Sequence, residues 1–90
     1  MRLTFDPAKN ARNIAERDLS FELVAQLDWE TAVAVEDTRK DYGERRPRVL
    51  AFLGKRLHAV VITMRGDVTH VISFRKANAK EVRRYEKQQR

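Results

Sequence analysis

The sequence predicts a small α+β domain: one antiparallel meander sheet with two helices before most of its strands and one after them, in the order β-α-α-β-β-β-β-α. Three observations carry this. Asp6-Pro7 and Asn78 with Glu81 mark helix starts on either side of a strand-rich middle. The apolar runs between Arg48 and Arg75 are broken by Gly54-Lys55 and Gly66-Asp67, pairs that close tight hairpins. Those runs are nearly continuous, so the middle strand is expected to be covered on both faces.

Taken in order, residues 2–5 alternate polar and apolar and read as a short first strand. Asp6 caps a helix with Pro7 in its first position, running to about Arg17, and Ala8, Ala11, Ile14 and Ala15 form its small-residue face. Asp18 stands where a helix end favours glycine in the left-handed conformation. Ser20 caps a second helix over 21–27, and Trp29 is expected to close the core beneath the pair. Residues 31–35 form the second strand. The polar stretch from Glu36 to Arg48, with Gly43 and Pro47, reads as a loop. Strands over 48–53, 57–64 and 68–75 follow. The last delivers Arg75 and Lys76 to the start of the final helix, where Asn78 and Glu81 have capping-box spacing. No repeat or linker interrupts residues 1–90, which are read as a single domain.

The 90 residues hold 19 Lys+Arg against 13 Asp+Glu, a net charge of +6. That excess favours a polyanionic partner, nucleic acid above all. Without cysteine there is neither a disulfide scaffold nor a thiolate metal site. No apolar run, Ala59 to Thr63 included, is long enough to span a membrane. Asp6-Pro7 follows the first five residues at once and leaves no signal-peptide core, so a soluble, cytoplasmic protein with no membrane association is expected.

His58 and His70, the only histidines, fall on different strands, and nothing has zinc-ligand spacing. Glu36, Asp37, Asp41 and Glu44 alternate with Arg39, Lys40, Arg45 and Arg46, which reads as a solvated mixed-charge segment. Neither a glycine-rich phosphate loop nor a nucleophile elbow is present. No metal or other cofactor is expected. What remains is metal-free phosphate chemistry. RNA brings its own nucleophile, the 2′-hydroxyl, and arginine suits the charge that builds on phosphorus. Arg46, Arg65 and Arg75 each end a strand or turn. The last helix adds Lys80, Arg83 and Arg84, which with Lys76 form a basic corner for RNA. Proton transfer could fall to His70, Tyr85 or Glu81. Each also has a structural reading: Glu81 as the capping-box acid, Tyr85 as a cover for the sheet. His70 shares strand parity with Val68, Ile72 and Phe74, and so reads first as a half-buried, hydrogen-bonded residue.

The stretches FDPAKNARNIAERDLSFELV, VEDTRKDYGE, GKRLHAVVITMRGD and VISFRKANAKEVRRYE resemble, in order, the BrnT toxins. These are members of the RelE/ParE-like superfamily of type II toxin–antitoxin systems. The resemblance covers nearly the whole chain, and the VIS-x-RKAN-x-x-E-x-x-x-Y segment is its most specific part. It implies a RelE-like fold and a metal-independent endoribonuclease that inhibits translation. It also implies a ribbon-helix-helix antitoxin of the BrnA kind as neutralising partner, with the pair binding promoter DNA. The family's polar residues fall on Arg46, Arg65, Arg75, Glu81 and Tyr85. Relatives usually carry Gly in place of Asp18 and Arg in place of His70. The competing reading is a non-catalytic module of the same fold that binds nucleic acid or antitoxin.

Overall fold

The computed structural model describes residues 1–35 and 43–89. Strand β1 (Arg2–Phe5) leads into helix α1 (Pro7–Arg17) and a 3₁₀ helix (Phe21–Gln26). Strands β2 (Val33–Val35), β3 (Arg48–Leu53), β4 (Arg56–Arg65) and β5 (Val68–Lys76) follow, and helix α2 (Ala79–Gln88) ends the run. The loop expected over 36–48 lies largely outside the described residues.

Gly54 and Gly66 make the meander possible. They hold φ at 60° and 65°, a region where a Cβ is penalised, and each opens a two-residue turn between paired strands. The sheet order is β1-β5-β4-β3-β2. β2 to β5 pair antiparallel, while β1 lies at the edge, parallel to β5. The sheet is therefore mixed at one edge rather than wholly antiparallel.

The second predicted α-helix is a 3₁₀ helix instead. Its six residues are too few for cooperative α-helix. Ser20 Oγ accepts from Glu22 N, Leu23 N donates to the Ser20 carbonyl, and Trp29 Nε1 donates to the Val24 carbonyl.

α1 attaches differently from what its apolar pattern implied. None of its residues is buried, and Ile14 on the small-residue face is 44% exposed. Two asparagines tie it down. Asn10 Oδ1 accepts from Phe21 N at 2.7 Å, and Asn13 Nδ2 donates to the Leu19 and Phe74 carbonyls at 3.0 Å. Asp18 ends the helix at φ 57°, its N–H donating to the Ile14 carbonyl.

Between β4 and β5 the register shifts. Val61 faces Ser73 but Ile62 faces Val71, so Ile72 has no partner. This bulge inverts side-chain parity. Val71 and Phe74 enter the same core although three residues apart, and His70 goes to the opposite face from Phe74, contrary to simple alternation.

One face of the sheet carries Val49, Ala51, Val60, Ile62, Val71 and Phe74, closed by Leu19, Phe21, Val24 and Leu27. The other carries Val33, Val35, Leu50, Leu57 and Ala59, closed by Ala77 and Tyr85 beside α2. That second cover is partial. β4 is buried along most of its length on both faces, but Ser73 and Thr4 on the α2 side are exposed. The candidate site lies beside this exposed part, where His70 is half-buried and Thr63, its partner on β4, is buried.

Candidate functional site

The site is anchored where β5 turns into α2. Asn78 Oδ1 accepts from Glu81 N at 2.8 Å and Glu81 Oε1 from Asn78 N at 3.0 Å, which completes the capping box. The same carboxylate takes a two-pronged grip from Arg75: Nη1 to Oε1 at 2.7 Å and Nη2 to Oε2 at 3.0 Å. Arg48 Nε lies 3.3 Å from Oε2, close enough for charge pairing but not aligned as a hydrogen bond. Glu81 is therefore held well inside its charged form. The Arg75 hydrogen bonds outweigh the burial that opposes ionisation, and the Asn78 N–H and the two arginine charges assist. Arg75 is correspondingly pushed up by that hydrogen bonding. Arg48 was visible in the sequence only as the first residue of a strand. Its signal was the one that marked Arg46 and Arg65, a cation at a strand end.

Tyr85 is buried. Its hydroxyl donates to the Thr31 carbonyl at 3.0 Å, and its ring meets Phe52 edge-on at 5.4 Å. Glu81 and Tyr85 thus pin α2 to the sheet, and Arg75 grips the helix through Glu81.

His70 lies apart from this anchor, on the same face. The parallel pairing of β1 with β5 sets Thr4 opposite it, and Thr4 Oγ1 is 3.0 Å from Nδ1. Partial burial and the nearby Arg65 charge lower its pKa below the usual histidine value. Glu44 pulls the other way, while Lys9 and Arg46 add to the depression. The charges come from Lys9 in α1, from Arg65, which stands two residues beyond Thr63 (the partner of His70) on the same face of β4, and from Arg46, whose Nε donates to Glu44 at 3.2 Å. Strand pairing so sets Arg65 beside His70, with Arg75 and its partner Glu81 along the same face, while Arg46 lies just before β3. Lys76 alternates to the opposite face from Arg75. Lys80, Arg83 and Arg84 are exposed on α2. Thr4 was not read as a site residue, because its nearness to His70 depends on strand pairing across 66 residues.

His58 is structural. It is buried, its Nδ1 is 2.8 Å from the Arg56 carbonyl, and its ring lies 5.3 Å from Phe74. Burial lowers its pKa. Among the described residues no three His, Asp or Glu side chains come together in a metal-binding group. Glu36, Asp37 and Asp41 lie outside them. No helix among those residues is long and apolar enough to cross a membrane.

With this geometry in hand, the chain was compared with known proteins. No curated protein matches it. A family model described as ribonuclease toxin, BrnT, of type II toxin-antitoxin system matches residues 5–81, a span holding Arg46, Arg65, His70, Arg75 and Glu81 but not Tyr85. The anchored helix, the open basic face and this match converge, and the chain belongs to the BrnT family of ribonuclease toxins of type II toxin–antitoxin systems.

Proposed function

We propose that this chain is a metal-independent endoribonuclease that works on the open half of its sheet, with His70 as the proton-transfer group. The observation that carries this reading is that strand pairing sets Arg65 beside His70, a histidine whose pKa is lowered first by burial and then by the charges of Arg65, Lys9 and Arg46. The imidazole is then neutral near pH 7 and can take the proton of an RNA 2′-hydroxyl. The 2′-oxygen attacks the adjacent phosphorus and the P–O5′ bond breaks. The 5′-oxygen leaves with a proton from solvent, giving a 2′,3′-cyclic phosphate and a 5′-hydroxyl. Arg46 and Arg65 stabilise the charge that gathers on the phosphorane oxygens. In this reading Arg75, Glu81 and Tyr85 set the position of α2 and take no proton. The carboxylate is held charged by two arginines and the tyrosine proton is committed to a carbonyl.

The partner in this proposal is a ribbon-helix-helix antitoxin that covers the basic face, and the pair binds its own promoter DNA. The fold is RelE-like and RNA cleavage halts translation. Induced expression without antitoxin tests the activity. Wild type is expected to arrest growth, and His70→Gln and Arg65→Ala to relieve the arrest at equal protein level. Harmless wild-type protein at that level would favour the non-catalytic binding module.

A further inference from the structure

We infer that the charged flank of α1 and the free edge of β5 form a track for the RNA strand leading away from His70. This rests on the RNA reading of the open face and extends it to a surface that the strand-end arginines do not reach. β1 pairs with β5 only as far as Val71, so from Ile72 onward no strand covers that edge. α1 runs beside it instead, and the Asn13 bond to the Phe74 carbonyl satisfies an edge acceptor. Between helix and edge lies a cleft of about 160 Å³, lined by Lys9, Arg12, Glu16 and Arg17 on one side and Ile72 and Ser73 on the other.

Three cations face one carboxylate there. Lys9, Arg12 and Arg17 are exposed and make no ion pair or hydrogen bond among the described residues. Lys9 and Arg12 stand one turn apart on the same flank of α1, so their charges follow one another along the cleft. The cleft also adjoins the candidate site, because Ser73 on its lining shares the face of β5 that carries His70, just past the bulge at Ile72. A strand whose scissile phosphate sits at His70 has this row of free cations next along its path. RNA fits the lining better than an acidic protein does. Lasting protein affinity needs apolar anchors in closed pockets, and the lining offers only Ile72 and Phe21, the latter already buried in the core. Phosphates need only cations.

The test is binding of a short 2′-O-methyl RNA across a salt series, followed by fluorescence anisotropy. The blocked 2′-oxygen removes the nucleophile, so binding is read whether or not the chain cleaves. Lys9→Gln/Arg12→Gln is compared with wild type. The control is Lys55→Gln/Arg56→Gln, at the far end of β4, about 24 Å along the strand from Thr63 opposite His70. Each phosphate contact on a single strand adds roughly 0.7 to the log–log salt slope, so the α1 pair is expected to flatten it by about 1.4. The control pair should leave the slope unchanged. An unaltered slope in the α1 pair, an equal loss in the control, or no binding by wild type would each overturn the track. So would unchanged RNA binding combined with slower antitoxin association, which would make this flank a protein surface. Tight, slope-altered binding by a chain that fails to cut unmodified RNA would reject the ribonuclease reading and leave the track standing.

Discussion

Two arginines and the Asn78 N–H converge on the Glu81 carboxylate. Glu81→Gln would leave Arg75 and Arg48 against a neutral amide. The arginines are roughly a third exposed, which softens the loss, and a destabilisation of about 2 kcal/mol is expected in urea unfolding. The pH sign follows from the lowered pKa. A carboxylate whose folded pKa lies below its unfolded value contributes fully above the ordinary range near 4.5, and that contribution is lost as pH falls through the lower folded value. The gap between wild type and Glu81→Gln should therefore hold from neutrality down to that range and close below it. A gap independent of pH would refute this assignment. Asp18 poses a simpler question. It holds φ at 57° without a Cβ-free backbone, so Asp18→Gly is expected to stabilise the fold by about 0.5–1 kcal/mol, read as a raised Tm. An unchanged or lower Tm would mean that Asp18 makes up its backbone cost elsewhere.

At the scale of elements, both helices are held by polar ties as much as by apolar packing. α2 carries its tie in its own sequence, since Asn78 and Glu81 stand three residues apart, and so its start was legible. The hairpins were legible for the same reason, each glycine lying beside the turn it makes. α1 was legible in extent but not in attachment. Asn10 and Asn13 meet backbone groups of Phe21 and Phe74, partners that no local spacing reveals. The bulge at Ile72 was hidden too, because it is a property of two strands in register and neither alone encodes it. The outer side of α2 presents exposed Arg83 and Arg84 beyond this framework. If an antitoxin docks against the basic corner, reversing both charges should slow association and flatten its salt dependence more than it speeds dissociation. An on-rate and salt slope left unchanged by the double reversal would place the antitoxin elsewhere.

For the molecule as a whole, the proposed function makes use of an unequal sheet. One face is closed by Leu19, Phe21, Val24 and Leu27. The other is half closed by α2, and on the remainder Arg65 stands beside His70. The residue types of the proposed site, Arg46, Arg65 and His70, were legible because strand ends are local properties, but the face of His70 was not, since the bulge inverts the parity read from its own strand. The sequence did not carry their company. Thr4 reaches His70 through the parallel β1–β5 pairing, and Arg48 reaches Glu81 across the sheet. The central claim is that the His70 imidazole cuts RNA without a metal. Its most direct test is cleavage of RNA by purified protein in EDTA, with kcat/KM followed across pH for wild type and His70→Gln. The account predicts cleavage that persists in EDTA, yields 2′,3′-cyclic phosphate ends and disappears in His70→Gln. It also predicts an acidic limb below the ordinary histidine value of 6.5, since kcat/KM reports the free protein. Activity abolished by EDTA and restored by Mg²⁺, or a wild-type profile retained by His70→Gln, would contradict it.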